Sequence, residues 1–289
     1  MVIVKIIGGL GNQMFQYAAG KSLAKKNKTD LKLDISAFET YKLHDYMLDK
    51  LNIKTDIATD DDLKKIFSSS IVRFLYIIPK LKLLIRNKRV YKEKFFNFNE
   101  GLSDLKNEDI YLDGYFQCEK YFLDIESEIR EDLLPLTPLE GKNAKMAELI
   151  TKTNSVSLHV RRGDYVLNST TNKVHGTCGI NYYNKAIDIV TKENPEAVFF
   201  VFSDDCDWAR NNLKINHEKY FIDFNGKENC HEDIRLMSLC KHNIIANSSF
   251  SWWGAWLNNN KNKIVVAPKK WFNVKINTKD LVPENWIKI

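Results

Sequence analysis

The sequence predicts an α/β protein made of two domains, each built on a parallel sheet. Apolar, strand-like runs alternate with helix-like segments along the chain, which is the pattern of β-α-β units. The length of 289 residues suits two domains of about 100–200 residues each. A composition of 44% hydrophobic and 28% charged residues is typical of a globular protein.

The individual elements follow from the hydrophobic pattern. A strand of the buried type is predicted at 2–7, and a helical pattern extends from Gln13 to about Lys26. Further strands are predicted at 32–35, 109–113, 155–160, 197–202, 219–222, 243–246 and 263–267. Further helices are predicted at 60–70, 119–132, 181–193, 206–214, 231–241 and 250–258. A polar stretch at 140–143 indicates the domain boundary, which divides 1–150 from 151–289.

Charge and cysteine usage restrict the class of protein. A net charge of +6 is compatible with an anionic substrate or membrane surface, but it is too small to indicate nucleic-acid binding. Five cysteines without CxxC spacing favour a reducing compartment over a disulfide framework or a zinc site. The first strand begins at Val2, which leaves no room for a signal peptide, and no apolar run approaches ~20 residues. We therefore expect a cytoplasmic protein.

The strand at 155–160 runs into the turn His159-Val160-Arg161-Arg162-Gly163-Asp164-Tyr165. Ligands of open α/β sheets bind at the carboxyl ends of the strands. Arginine is well suited to bidentate capture of phosphate oxygens, so two arginines here suggest a diphosphate site. The alternative is a surface turn with an ordinary ion pair between arginine and aspartate.

A glycine-rich loop, residues 8–13, follows the first strand and opens a helix. Glycines permit close backbone approach, and a helix N-terminus offers N–H groups to an anion. Met14 stands where a dinucleotide fingerprint has its third glycine, and no Gly-Lys-Ser/Thr follows. The loop is therefore a weak anion-site signal, and a plain tight turn is the alternative.

Two other strand ends carry polar residues. Asp205 and Asp207 have the spacing of a metal-binding pair, but we favour helix capping by Ser203 and Asp204. The run Asn247-Ser248-Ser249 offers hydroxyl and backbone N–H groups to a phosphate. Its alternative is a serine N-cap, and we expect the tryptophans that follow to be core residues.

Five motifs, taken in order, carry a family resemblance. They are GGLGNQMFQYA at 8–18, LDGYFQ at 112–117, HVRRGDY at 159–165, FSDD at 202–205 and LMSLCKHNIIANSSFSWWGAWL at 236–257. With these motifs the chain resembles the bacterial α-1,2-fucosyltransferases, glycosyltransferase family 11, which are related to the blood-group H enzymes. The resemblance implies a GT-B-like fold of two Rossmann-like domains, with a cleft for donor and acceptor between them. It also implies GDP-fucose as donor, a β-galactoside as acceptor, inversion at the anomeric carbon and no metal requirement.

The resemblance also suggests residue roles. It implies that Arg161 binds the donor pyrophosphate, that Arg162 assists or orders the loop, and that His159 contacts the nucleoside. Asp233 resembles a guanine-reading aspartate, with capping of the helix near His231 as its alternative. The remaining residues implied on the donor phosphates are Gly9, Gly11, Asn12, Asn247, Ser248 and Ser249.

The general base is the least defined role. Related α-1,6 enzymes carry a glutamate where this chain has Ser169. Asp164 is our candidate base, and the alternative is that it orients Arg161 or Arg162.

Other functions stay open at this point. A fucosyltransferase of α-1,6 or protein O-linked specificity, a metal-dependent GT-A enzyme using Asp205 and Asp207, and a non-catalytic sugar-binding module are the alternatives. The basic, apolar segment 71–90 could lie on an anionic membrane surface, although we favour a packing helix with snorkelling lysines. The acceptor should be recognised by the first domain and by the loop at 168–179. The C-terminal domain should bind the donor. The chain's tail could pack back on the first domain.

Overall fold

The computed structural model describes residues 1–69, 72, 73, 76, 87–102, 104, 105, 109–163, 166 and 173–289. The chain forms two compact units. The N-terminal unit is Met1–Leu133 with Lys279–Leu281, and the C-terminal unit is Leu134–Thr278 with Val282–Ile289. The division predicted after residue 150 falls inside a helix of the C-terminal unit, Gly141–Lys152.

The N-terminal unit contains a parallel sheet with the strand order β3-β2-β1-β5-β4 among its described residues. Its strands are β1 Val2–Lys5, β2 Leu31–Asp34, β3 Asp56–Ile57, β4 Val90–Lys92 and β5 Ile110–Asp113. The α-helices described in this unit include α1 Leu10–Lys26, α2 Asp60–Phe67 and α3 Glu126–Asp132. Ile3 of the middle strand β1 and Tyr111 of β5 pack against α2 in a buried cluster.

The C-terminal unit contains a parallel sheet with the order β11-β10-β9-β6-β7-β8 among its described residues. Its strands are β6 Asn154–Val160, β7 Ala197–Ser203, β8 Lys219–Ile222, β9 His242–Ile244, β10 Val265–Ala267 and β11 Ile287–Lys288. Its helices are α4 Gly141–Lys152, α5 Ile180–Glu193, α6 Cys206–Asn212, α7 Cys230–Leu239 and α8 Ser249–Leu257.

Helices cover both faces of this second sheet because β7 is apolar at every position from 197 to 202. Successive side chains of a strand point to opposite faces. Phe199 and Val201 accordingly join one core cluster with residues of α5 and α6. Phe200 and Phe202 join a second cluster with residues of α4 and α7. Full burial of each phenylalanine stabilises the fold by about 1.5–3 kcal/mol.

Several predictions about elements were wrong. The polar stretch at 140–143, predicted to mark the domain boundary, forms the N-cap and first turn of α4, whose inner face is held in the core by Ala147 and Ile150. The segment 119–132 is not one helix, since two short 3₁₀ turns precede α3. The edge strands β3, β4 and β11 went unpredicted because two or three residues carry no measurable hydrophobic period.

The segment 71–90, predicted to contact a membrane or to pack, lies mostly outside the described residues. Of its described members, Arg73 donates a hydrogen bond to Asp60 at 2.8 Å. The ring of Tyr76 lies 5.2 Å from that of Phe67 in the core of the N-terminal unit. Within the described parts of the chain, no helix has the length and apolar character needed to span a membrane. Membrane contact stays a prediction.

Candidate active site

Two turns meet at the carboxyl edge of the C-terminal sheet. The register pairs Val160 of β6 with Ser203 of β7, so the residues that follow these two strands lie at the same level. Arg161 Nη1 lies 2.9 Å from Asp204 Oδ2. The backbone N–H of Arg162 donates to the other oxygen, Asp204 Oδ1, at 2.8 Å. Asp204 thus fixes the arginine turn through both carboxylate oxygens.

Arg162 is held by the first turn of α6. Its guanidinium carbon lies 4.1 Å from the ring centroid of Trp208, which is a cation–π geometry. Its Nε lies 3.3 Å from Asp205 Oδ2. The Arg162 side chain is therefore tied into the protein on two sides, which suits a residue that orders the loop.

Asp205 is the N-cap of α6. Its side chain accepts a hydrogen bond from the Trp208 N–H at 3.1 Å, and its own N–H donates to Ser203 Oγ at 2.9 Å. The prediction of a helix cap here is confirmed, but its residues were wrong: the cap is Asp205 rather than Ser203 or Asp204, because the arginine turn occupies both oxygens of Asp204. Among the residues that the structure describes, no group of three or more His, Cys, Asp and Glu is arranged to hold a metal ion.

His159, the last inward-facing polar residue of β6, is buried with 5% of its surface exposed. Its ring lies 5.7 Å from that of Phe250 in the first turn of α8. Burial lowers the pKa of His159 to about 4, so the imidazole is neutral at pH 7. Its Nδ1 has no hydrogen-bond partner within the described part of the chain. A buried polar atom in this state is costly, and it is a candidate contact for a ligand.

Asp233 lies in the first turn of α7, and it is not the cap of that helix, whose N-cap residue is Asn229. Its Oδ1 accepts a hydrogen bond from Asn225 Nδ2 at 2.6 Å. Burial raises the pKa of Asp233 to about 7. Burial also raises the pKa of Cys230 to about 12; Asp233 raises it further and Arg161 lowers it. The two charged groups therefore lie near the same thiol.

Asn247 lies three residues after the end of β9 and connects its own loop to two others. Its Nδ2 donates to the carbonyl oxygens of His175, Gly176 and Trp271 at distances from 3.0 to 3.2 Å. Its Oδ1 lies 3.5 Å from Cys178 Sγ. Since only 3% of Asn247 is exposed and its amide is already engaged, the side chain serves the architecture of this edge.

Ser248 is the N-cap of α8, and its Oγ accepts a hydrogen bond from the Phe250 N–H at 3.3 Å. Ser249 begins the helix and is half-buried. Trp252 and Trp253 are fully buried with ring centroids 5.0 Å apart. The structure shows the N-cap that was the alternative role of this serine pair, and it confirms the expected tryptophan core. The N-terminus of α8 faces the same sheet edge as the arginine turn.

The glycine-rich loop lies at the corresponding edge of the N-terminal sheet, after β1. Gly8 has a φ of +90°. Gly9, which has no side chain to cap with, is the N-cap residue of α1. Gly11 lies within the first turn of α1. Asn12 Oδ1 accepts a hydrogen bond from Gln117 Nε2 at 2.7 Å. The role of Gly9, Gly11 and Asn12 on the donor stays a prediction.

Two glutamines of α1 were not predicted as residues of the site. Gln13 Nε2 donates to the carbonyls of Gly8 and Asp45, both at 2.8 Å, and its Oε1 accepts from the Met47 N–H at 2.9 Å. Gln16 Oε1 accepts from the Ile7 N–H at 3.0 Å. Polar residues on an otherwise apolar, buried helix were the available signal.

Other residues of the site also went unassigned. Trp208 was not singled out, although it is the third residue after the quoted FSDD motif. Asn225 lies in a loop with no periodic signal. Asp164, the predicted base, lies outside the described residues, so its role stays a prediction.

The comparisons with known proteins agree with this geometry. The family model of Glycosyl transferase family 11 matches residues 1–289. The chain belongs to glycosyltransferase family 11. Its predicted family resemblance is thereby confirmed, and the protein is a glycosyltransferase of the fucosyltransferase-related family 11 type.

Family 11 relatives of two kinds resemble the chain. An alpha-1,2-colitosyltransferase of Escherichia coli is 39% identical, with 100% of this chain and 99% of the relative covered. The O-antigen biosynthesis glycosyltransferase WbnK of Escherichia coli is 37% identical, with 98% of each chain covered. The galactoside alpha-(1,2)-fucosyltransferase 1 of Rattus norvegicus is 31% identical over 46% of this chain and 35% of its own length.

Solved structures with a similar fold include a fucosyltransferase. The fucosyltransferase NodZ from Bradyrhizobium matches with a TM-score of 0.51 at 12% identity, covering 88% of this chain and 91% of its own. Arabidopsis thaliana FUT1, solved in complex with GDP, matches with a TM-score of 0.53 at 13% identity, covering 91% and 69%. The predicted α/β class of GT-B type, with two parallel sheets, is confirmed.

Proposed function

We propose that this family 11 enzyme transfers L-fucose from GDP-β-L-fucose to the 2-hydroxyl of a terminal β-galactoside, in the cytoplasm and without a metal ion. The arginine turn carries the proposal, because Asp204 Oδ2 holds the Arg161 guanidinium at the sheet edge while Asp204 Oδ1 holds the Arg162 N–H. A guanidinium offers parallel N–H groups to phosphate oxygens and stays charged at any working pH. Arg161 therefore binds the donor pyrophosphate.

The guanosine end of the donor is recognised by Asp233 and His159. An ionised Asp233 carboxylate accepts hydrogen bonds from N1–H and N2–H₂ of guanine, an edge that adenine lacks. His159 Nδ1, buried and without a partner among the described residues, meets a polar group of the nucleoside. The N-terminus of α8, with Ser248 and Ser249, receives the β-phosphate through backbone N–H groups and a hydroxyl.

The reaction is a single in-line displacement. The acceptor 2-hydroxyl oxygen forms a bond to the anomeric carbon while the bond from that carbon to the β-phosphate oxygen breaks on the opposite face. The configuration inverts, GDP leaves with the bonding electrons, and a base takes the hydroxyl proton. Asp164 is the proposed base, with a typical contribution of about 10²–10⁴-fold.

Arg161 makes a metal ion unnecessary in this proposal. Negative charge grows on the β-phosphate as the bond breaks, so a guanidinium fixed beside it stabilises the transition state more than the ground state. The helix N-terminus at Ser249 acts in the same direction. Both groups are in place before the donor arrives.

Transfer of colitose is the second candidate, because a relative named for that reaction is 39% identical over the full chain. Colitose is fucose without the 3-hydroxyl. A site built to hydrogen-bond a hydroxyl rejects the analogue without it by about 10⁴–10⁵-fold, whereas an apolar pocket rejects the added hydroxyl by only about 10²-fold. The size of the preference thus indicates which sugar the site is built for.

A donor and acceptor screen tests the proposal. The purified protein is incubated with GDP-fucose or GDP-colitose and a series of β-galactosides, with and without EDTA, and the product linkage is determined by NMR. We expect an α-1,2 linkage from GDP-fucose and no effect of EDTA. A preference for GDP-colitose of about 10²-fold, as expected where an apolar pocket rejects the added hydroxyl, would replace fucose by colitose, and loss of activity with EDTA would contradict the metal-free mechanism.

A further inference from the structure

The LDGYFQ motif at 112–117 forms a turn after β5 that is fixed by side chains distant in sequence. Glu93, directly after β4, accepts hydrogen bonds from the N–H groups of Tyr115 at 2.6 Å and Phe116 at 3.1 Å. Gln16 of α1 donates to the carbonyl of Gly114 at 3.1 Å. The turn thus joins the carboxyl ends of β4 and β5 to the helix that follows the glycine-rich loop.

This turn holds a strained residue. Phe116 has a φ of +53°, an uncommon conformation for a bulky side chain, and its ring is fully buried. Glu93 approaches so closely that a Cβ on Gly114 would lie 2.4 Å from Glu93 Cβ. Strain of this kind persists only where the surroundings fix the backbone, and it clusters at functional sites.

The turn presents an aromatic face beside polar groups. The ring of Tyr115 is 37% exposed and lies parallel to that of Phe96, with an interplanar angle of 10° and centroids 6.3 Å apart. The next residues along the turn lead to Gln117, whose amide is paired with Asn12. Aromatic side chains bordered by a few amide and carboxylate groups are the composition of a small-molecule binding site.

The charges of this edge select among ligands. The carboxylates of Asp113 and Glu93 both lie close enough to Tyr115 to raise its pKa, after the larger effect of burial. Lys5 Nζ lies 4.0 Å from Asp113 Oδ1 and offsets part of this negative charge. The carboxylates still repel a phosphate, whereas they accept hydrogen bonds from the hydroxyl groups of a neutral sugar. A neutral saccharide therefore fits this edge better than a nucleotide does.

We propose that the parallel rings of Phe96 and Tyr115 bind the acceptor saccharide, with the Tyr115 ring packed against the C–H face of its terminal galactose. The proposal rests on the proposed function, since it concerns the acceptor of that transfer. Glu93 and Gln16 hold the turn in the conformation that exposes the tyrosine ring. Ligands of parallel α/β sheets bind at the carboxyl ends of the strands, which is where these rings lie.

Kinetics of Tyr115→Ala and Tyr115→Phe test this proposal, with Phe95→Ala as the matched control. Phe95 is the neighbouring aromatic residue and is 64% exposed. We expect Tyr115→Ala to raise the acceptor KM about tenfold or more, the loss typical of a buried aromatic contact. Donor binding, measured by calorimetry with GDP-fucose, should be unchanged. Tyr115→Phe keeps the ring and should stay near the wild type, as should Phe95→Ala.

The outcomes separate this proposal from the function on which it rests. If the wild type transfers the sugar and Tyr115→Ala has the same acceptor KM, the proposed acceptor site is wrong but the proposed function stands. An equal loss of donor binding in that variant would overturn it as well, since a general structural defect would then explain the result. Saturation-transfer NMR with lactose gives a readout without catalysis: the wild type should show a signal that Tyr115→Ala loses. A wild type that neither transfers sugar nor binds lactose would contradict both proposals.

Discussion

Replacing Asp233 by asparagine separates a guanine-reading carboxylate from a structural one. Asp233 accepts a hydrogen bond from Asn225 Nδ2 at 2.6 Å, and burial raises the pKa of its carboxyl to about 7. Recognition of guanine requires the ionised form, because both hydrogen bonds run from the base to the carboxylate oxygens. Donor binding should therefore depend on pH near neutrality.

The magnitude for the wild type follows from the ionised fraction of Asp233. With a pKa of about 7, about nine-tenths of the carboxyl is ionised at pH 8 and about one-tenth at pH 6. The Kd of GDP-fucose should therefore rise about tenfold when the pH is lowered from 8 to 6. His159, with its pKa lowered to about 4, does not titrate in this range. Both phosphates of GDP-fucose are diesters, so the ligand does not titrate there either.

In the Asp233→Asn variant, binding and stability should move in opposite directions. Loss of a bidentate contact of this kind costs about 1–3 kcal/mol, so the Kd should rise roughly 10- to 100-fold and lose its pH dependence. Because the pKa of Asp233 is raised, the folded protein keeps a proton on this carboxyl between about pH 4 and pH 7, whereas the unfolded chain has already released it. Stability from this group is thus complete below pH 4 and is lost as the pH rises through 7. The asparagine avoids that loss, worth at most about 4 kcal/mol at pH 8.

Calorimetry with GDP-fucose and urea unfolding, each at several pH values, measure both effects. Asp207→Asn is the matched control, since Asp207 lies in the first turn of α6 but is exposed. It should alter neither binding nor stability by a measurable amount. Our reasoning would be refuted by an Asp233→Asn variant that binds GDP-fucose like the wild type, or by one that is less stable than the wild type at pH 8.

Three further predictions concern residues of the same sheet edge. Arg161→Ala should lower kcat/KM about 10²- to 10³-fold or more, as expected for loss of a charge that faces the leaving group, without changing the urea midpoint. Asp204→Asn should lower kcat/KM about 10- to 100-fold by releasing the arginine turn, with Arg161 itself unchanged. Asn247→Ala leaves the carbonyl groups of His175, Gly176 and Trp271 without this donor and should lower the free energy of unfolding by about 3 kcal/mol in urea titrations.

Matched variants make these three results interpretable. Arg210→Ala removes an exposed arginine that is paired with Asp223 at the far end of α6, and it should keep full activity. Full activity in Arg161→Ala would contradict the phosphate role, and full activity in Asp204→Asn would show that the turn needs no anchor. Asn212→Ala, an exposed amide, is the control for Asn247→Ala; equal stability of the two variants would contradict the architectural role of Asn247.

The α/β class was predictable because the central strands are long and apolar. β6 and β7 each span seven residues, and their register follows once both lie in one sheet. The short strand β3, at the sheet edge, exists only through pairing with β2, which no local pattern reveals. α4 went unpredicted because its first turn is polar and its buried face is narrow.

The candidate site was predictable where one strand end carries several polar residues, as in the arginine turn. It was not predictable where contacts join distant segments. Asp204 meets Arg161 across 43 positions of sequence, and Gln16 reaches Gly114 across 98. A side chain that closes such a contact looks like any polar residue until the fold brings its partner near. Sequence therefore located the strand ends, and the structure supplied what fixes them.

The polar groups at these edges fall into two physical classes, and the difference indicates which of them face a ligand. Asn247 and Gln13 have their hydrogen-bonding groups engaged by backbone partners, so a ligand has little left to bind there. His159 keeps a buried nitrogen without a partner in the described chain, and Asp233 is buried deeply enough to hold a proton near pH 7. Both arrangements are costly in the free protein, and both costs are relieved when a donor supplies the missing hydrogen bonds. Selection for folding alone would replace such groups, which is why we assign these two residues, rather than Asn247, to the nucleoside.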